Sequence, residues 1–397
     1  MRKYRYLIIP VVIIVIFSFS FNLIINKKYD EIKGSRNLTS IKHMYNHLIR
    51  DRGGVLKDLI HDEGDLMLLG SSELAADVSQ RPVNIYPFND ADYDVSIFGR
   101  AFTQSIQHTT ILSNTKDLNS KDKIAIIVSA QWFENEKGIS GNEFSVNFSE
   151  LQFYQFLDNN KINKDNKKYY AERMSDLLKK SNEYAEEGLY AKLYAEDNIF
   201  SKTALTILNP YYKLKRYMLG MKDKVQAIKE LKKLPEKDGS KEIIKDINWD
   251  EEYLRAEKEG SEKVTNNDIN VADNYYDTNL RENYDNLKNR WGNNDLLRSK
   301  ELDDFKLFLK VSNDLGVKPL IILMPVNALY YDHIGWSIEK RTEFYSTLET
   351  IAKEDGFDVL NLQNKEYEKY YMYDVMHLGW KGWLNIDEEM YKYFNKR

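Results

Sequence analysis

The chain has 397 residues, which at about 150 residues per domain is room for two or three folded units or one large domain with an insertion. Its 57 Lys and Arg against 62 Asp and Glu leave a formal charge of −5, and 42% of residues are hydrophobic, which excludes both a nucleic-acid binder with a basic face and a disordered chain. With no cysteine there is no thiolate nucleophile, thiolate zinc site, iron–sulfur cluster or disulfide framework.

The first element is an apolar run. Tyr6 to Ile25 carries no charge and only Ser18, Ser20 and Asn22 as polar side chains, and its length of about 20 residues matches a helix that crosses a bilayer. A cleaved signal peptide would explain Arg2, Lys3 and Arg5 followed by Leu7 to Phe17, but the run continues to Ile25 and no A-x-A site follows. The expectation is an uncleaved single-pass anchor over 6–25 with a short cytoplasmic stretch, 1–5, before it. Basic residues flank both ends, so the charge count does not orient it; a long trailing domain is exported largely regardless of such charges, which places 27–397 outside the cell membrane.

Tyr29 to Glu63 is polar with Ile41, Met44 and Leu48 at helical spacing, and 26–63 reads as a stalk. From residue 64 to 397 the pattern becomes that of one extracytoplasmic domain. Leu66–Leu69 is a short apolar run ending at Gly70, Asp94–Phe98 a second ending at Gly99, and Ile124–Val128 a third ending at Ser129. Arg100–Asn114 between them has helical period. Leu320–Met324 ends at Pro325, a helix is expected over Ser337–Asp355 with Ser337 as its cap, and Phe357–Leu360 is a last strand. Short continuous apolar strands alternating with helices predict an α/β fold, a doubly wound parallel sheet of flavodoxin-like type covered on both faces. A helical, Tyr-rich insertion is expected at about 150–298, with Pro210 near the start of one helical stretch, Pro235 just past its end, and Pro235–Ser299 as loop and short surface helices.

In such folds ligands sit beyond the carboxyl ends of the strands, which directs attention to Gly70–Glu73, Gly99, Ser129–Phe133 and Pro325–His333. A serine hydroxyl needs an imidazole base, and the imidazole needs a carboxylate to hold its tautomer. Among six histidines, His377 is best placed, three residues after Asp374 and so its neighbour on a helical turn; a capping Asp374 beside a structural His377 explains the same spacing equally well. His333 follows Asp332 directly, where side chains point apart, and is read as wall or support. His43, His47, His61 and His108 are read as surface or packing. No H-E-x-x-H, calcium loop or phosphate-cradling glycine loop occurs, so no metal and no cofactor is expected. Lys213, Lys215, Arg216 and Lys222 form a basic cluster, either a phosphate site or a solvated helix face.

Taken in order, Gly70-Ser71-Ser72-Glu73-Leu74, Phe98-Gly99, Ser129-Ala130-Gln131-Trp132-Phe133, Tyr331-Asp332-His333 and Asp374-x-x-His377-Leu378-Gly379-Trp380-Lys381-Gly382-Trp383 resemble the D-alanyl-lipoteichoic acid biosynthesis family DltD over almost the whole chain, anchor included. The resemblance implies an SGNH-hydrolase-like fold and D-alanyl transfer onto lipoteichoic acid outside the membrane of a Gram-positive cell. It implies Ser72 as nucleophile, His377 as base and Asp374 as its orienter, an oxyanion hole from the backbone of Ser72 and Gly99 with Gln131 as third donor, and Ser71, Glu73, Trp132, Tyr331, His333 and Trp380 as supporting or substrate-wall residues. It further implies a membrane-bound O-acyltransferase as donor partner, docked by the anchor and nearby apolar surface, and lipoteichoic acid as acceptor. Ser71 stands where the hydrolases carry Asp, and Ala130 where the family often has Pro. An esterase or thioesterase would use the same three residues, and a non-catalytic anchored scaffold would use none of them.

Overall fold

The computed structural model describes residues 18, 20–91, 93–238 and 245–396. Of the expected anchor, residues 6–17 and 19 lie outside the described residues; 20–32 are helical, and no helix among the described residues is long and apolar enough to cross a membrane. Three short helices follow, α1 (Thr39–His43), α2 (Leu48–Arg52) and α3 (Val55–His61), within the segment read as a stalk. Their neighbourhood buries Leu38, Ile41, Leu56 and Ile60 in the core.

Five strands, β1 (Leu66–Leu69), β2 (Val95–Phe98), β3 (Ile124–Val128), β4 (Leu320–Leu323) and β5 (Val359–Asn361), pair in parallel in the order β2-β1-β3-β4-β5. This is the doubly wound order, with the first strand flanked by the second and third. The strands are buried on both faces because successive side chains point oppositely. Met67, Leu69, Ile126, Val128, Ile321 and Leu323 join one apolar cluster. Leu66, Leu68, Val95, Ile97, Ile127 and Ile322 join the other. Strand β5 begins two residues later than expected and ends one later, since Phe357 instead packs in the first cluster.

The first cluster is covered by α4 (Ser105–Ser113), α5 (Glu150–Asp158), α6 (Lys164–Leu178), α7 (Ala185–Glu196) and α8 (Ile199–Leu231), and further by α10 (Glu301–Leu315), α11 (Ala328–Ile334) and α12 (Ile338–Glu354). The second is covered by α9 (Trp249–Lys263) and α13 (Trp380–Phe394). Helices α5 to α9 thus form the insertion between β3 and β4, and its tyrosines are core: Tyr154, Tyr170, Tyr190 and Tyr212 are buried, with the Tyr190 and Tyr212 rings edge to face at 4.5 Å.

One expectation is corrected here. Pro210 does not open a helix; α8 runs for 33 residues through it, because the proline sits on the exposed side where one lost backbone bond is tolerated. In the cluster Lys213, Lys215, Arg216, Lys222 two members are already paired, Lys215 with Glu150, Glu186 and Glu187 and Arg216 with Asp158, which favours the helix-face reading over a phosphate site. The segment after Pro235 is also more ordered than a loop, since α9 lies within it and packs on α13 through residues such as Ala256.

Candidate active site

The carboxyl ends of β1, β2 and β3 meet at one edge of the sheet. Register places Leu69 opposite Phe98, so Gly70 and Gly99 leave the sheet side by side. Gly99 has φ +134°, and a Cβ there would stand 1.8 Å from the Gly70 carbonyl oxygen; only glycine permits this approach. Past Gly70 the chain enters a one-turn 3₁₀ helix, Ser72–Ala75, which turns Ser72 outward, half buried. Glu73 folds underneath, fully buried, and its carboxylate accepts the Ser71 N–H at 2.6 Å. The Ser71 hydroxyl donates to the Arg100 carbonyl at 3.2 Å, tying the β1 turn to the β2 turn.

The Ser72 Oγ lies 2.9 Å from His377 Nε2, and His377 Nδ1 lies 2.7 Å from Asp374 Oδ2. Because the carboxylate accepts a proton on Nδ1, Nε2 is left as acceptor for the serine hydroxyl. The spacing of Asp374 and His377 works through a turn rather than a helix. Asp374 Oδ1 accepts the backbone N–H groups of Met376 (2.8 Å) and His377 (2.7 Å), so one side chain both caps the turn and holds the ring. The capping and the orienting readings of Asp374 therefore describe the same carboxylate. Asp374 is buried while His377 remains 25% exposed.

Electrostatics follow from the neighbours. Burial works against the imidazolium, but the hydrogen bond and charge of Asp374, with the charge of Glu73, outweigh it and raise the His377 pKa. Burial raises Glu73 as well, opposed by the N–H groups it accepts and by His377.

The histidine turn is clamped from outside the sheet. Ala272 N–H donates to the Tyr373 carbonyl at 2.7 Å, Asn327 N–H to the Val375 carbonyl at 3.3 Å and Gly379 N–H to the Tyr371 carbonyl at 2.7 Å. Asn327 itself is buried, donating through Nδ2 to Ile269 and accepting the Tyr330 N–H. Ala272 belongs to the insertion, which sequence reading left as surface. Neither Ala272 nor Asn327 carries a chemical signature, so sequence offered no signal for them.

The remaining expected residues separate. Gln131 is half buried in the turn Ala130–Phe133 after β3, beside the β1 turn. Trp132 points the other way, buried and stacked at 5.6 Å on the fully buried His108, so it supports the turn from the core and is no cleft wall. Tyr331 is buried against Trp291 and Trp336, likewise core. His333 stacks on Tyr284 at 4.0 Å and its Nε2 meets the Tyr284 carbonyl at 2.8 Å, pinning α11 to the insertion. Trp380 is buried against the Tyr373 ring at the base of the histidine turn. His43 pairs with Asp94, His47 caps α2 and His61 pairs with Asp122, all structural.

The class is that of an α/β protein with a doubly wound parallel sheet, beyond whose strand ends a serine, a histidine and an aspartate lie in one hydrogen-bonded line. The family is more particular. The model of the DltD protein family matches residues 45–395, and the chain belongs to that family, whose members take part in the D-alanylation of teichoic acids. Protein DltD of Bacillus subtilis is 28% identical over 349 residues, covering 86% of this chain and 86% of the relative. Protein DltD of Staphylococcus aureus is 26% identical over 350 residues, covering 86% and 84%. Protein DltD of Lacticaseibacillus rhamnosus is 23% identical, covering 85% and 79%.

Proposed function

We propose that this chain transfers D-alanyl groups onto lipoteichoic acid outside the cell through a covalent D-alanyl-Ser72 ester. The observation that carries the reading is the line Ser72 Oγ, His377, Asp374, at 2.9 and 2.7 Å. In the first half-reaction Ser72 Oγ attacks the carbonyl carbon of the donor ester or thioester while Nε2 of His377 takes the hydroxyl proton. The tetrahedral oxyanion faces the N–H groups of Ser72 and Gly99, with the Gln131 side chain as third donor. Collapse breaks the bond to the leaving group, which receives the proton from His377. In the second half a glycerol hydroxyl of the polymer attacks the seryl ester, gives its proton to His377, and Ser72 regains it on departure. Each half exchanges one acyl linkage for another, so no external energy source is consumed at the site. The donor comes from a membrane-bound O-acyltransferase, and the apolar run at 6–25 holds the domain beside it.

The test is the amount of alanine ester on the cell envelope of a strain whose only copy carries Ser72→Ala, with expression and membrane association measured in parallel. Loss of the esters, by about 10³-fold or more in the transfer rate, is expected with the protein folded and present. Esters at the normal level would remove the covalent step and leave an anchored scaffold in its place. Water as acceptor in place of the polymer is separated by product analysis: purified protein that releases only free D-alanine is an esterase.

A further inference from the structure

The hairpin of α7 and α8 turns at Asp197 and Asn198, with Asn198 capping α8 by accepting the Ser201 N–H at 2.9 Å. Immediately after that cap Ile199 and Phe200 are 72% and 83% exposed, Phe200 being the most exposed large apolar side chain among the described residues. From Phe200 exposed apolar residues recur at Ile207 (72%), Tyr211 (51%), Leu214 (58%) and Met218 (50%). These offsets fall within an arc of about 60° at 100° per residue, a single stripe about 27 Å long. The side of α8 that packs on the domain, through Leu205, Leu208 and Tyr212, lies well round the helix from it. A contiguous stripe of this kind marks an interaction surface.

Where the chain departs identifies the occupant. The helix over 20–32 runs beside α8 in the same direction: Tyr217 Oη donates to the Ser18 carbonyl at 3.3 Å, Lys224 Nζ to Asn26 Oδ1 at 2.5 Å, and Lys232 lies beside Lys28. The N-terminal end of the described helix therefore points toward the Phe200 end of α8, and the sequence before it is the uncharged stretch Tyr6–Phe17. On the reading that this stretch is the anchor, on which the present inference rests, the hairpin tip is the membrane-proximal end. Lysines stand around the tip: Lys202 pairs with Asp197 at 2.9 Å, and Lys164 and Lys168 also lower the Asp197 carboxyl. Apolar side chains at a helix start with lysines beside them suit the boundary between acyl chains and anionic headgroups.

We infer that the α7–α8 tip, Ile199 and Phe200, with Ile207 about 10 Å behind it on the same stripe, rests in the outer leaflet as a second membrane contact. One anchor helix alone leaves the domain free to swivel. A second contact sets the height and direction of Ser72 relative to the lipid surface.

The chain has no cysteine, so single reporters are clean. Phe200→Cys and Ile207→Cys, with Ile338→Cys on α12 as exposed control, are each labelled with an environment-sensitive fluorophore in the full chain, reconstituted into phosphatidylglycerol–phosphatidylcholine vesicles. Nitroxide-bearing lipid is expected to quench the labels at 200 and 207 several-fold more than the label at 338, with iodide in the water showing the opposite order. Labels at 200 and 207 that match 338 overturn the inference. So does shielding that appears only after the O-acyltransferase is co-reconstituted, which would make the stripe a protein-docking face. An alkaline carbonate wash judges the anchor separately, since a chain stripped from the vesicles refutes the anchor whatever the labels report.

Discussion

The two halves of the candidate site are built by different means. The serine half rests on strand register: β1 and β2 end level, Gly70 and Gly99 touch, and Ser72 emerges from a one-turn helix whose position the sheet dictates. The histidine half lies on an irregular turn, 373–379, which is held by Asp374 from within and by Ala272, Asn327 and Tyr371 from without. The first half tolerates no change in backbone packing, whereas the second depends on hydrogen bonds that single side chains can break one at a time. Variants separate the two.

The largest expected effect falls on the histidine half. Asp374→Asn keeps the size of the side chain but offers an amide where Nδ1–H needs an acceptor with charge, and it removes the main influence that raises the His377 pKa. Turnover should fall by about 10⁴-fold with little change in melting temperature. Burst kinetics with an activated D-alanyl ester would read it, and a loss under tenfold would show that Asp374 only caps the turn.

On the serine half Gly99→Ala should act through the fold instead. Its Cβ would collide with the Gly70 carbonyl and hold a non-glycine residue at positive φ, at a cost of about 3 to 5 kcal/mol. Denaturant unfolding should show the loss, with activity falling in step; an unchanged midpoint would mean that β1 and β2 separate more easily than their register suggests. Asn327→Ala is intermediate. It removes the bond to Ile269 and the cap that accepts Tyr330 N–H, about 2 kcal/mol, and loosens the turn at Val375. Several-fold lower kcat is expected, with KM for small esters nearly unchanged.

This division also sets what sequence could reveal. The apolar runs Leu66–Leu69, Leu320–Leu323 and their fellows are legible because a strand buried on both faces must be continuously apolar, and the residues after them inherit a position at the strand ends. That rule draws attention to Ser72, Gly99 and Gln131. Asp374 and His377 were legible as a chemical pair, but their helical spacing was the wrong geometry for the right neighbours. The direction of an aromatic is set by tertiary packing, so sequence leaves Trp132 and Tyr331 between a supporting and a wall role, and their burial against His108 and Trp291 places them on the supporting side. The helices within 26–63 bury too few apolar residues each to show a strong period, and their burial comes from contact with the rest of the chain. Pro210 misled because local propensity argues against a helix interior, while 33 residues of packing and capping outweigh one missing bond.

The smallest expected effect links the two halves. Glu73 sits under the serine turn, yet its charge is one of the influences raising the His377 pKa, and His377 in turn favours the ionised Glu73. Only neutral imidazole accepts the Ser72 proton, so activity should rise with pH through the raised His377 value. Stability has the opposite sign: a raised folded-state pKa makes the imidazolium–Asp374 pair stabilising at acid pH, and that contribution is lost as pH climbs through the same value. Glu73→Gln can still accept the Ser71 N–H while removing the charge, so the acid limb of the kcat/KM profile should move to lower pH with its plateau nearly retained. A plateau that collapses with the limb in place would assign Glu73 to the geometry of the serine turn alone, and the two halves would then be joined only by the hydrogen bond between Ser72 and His377.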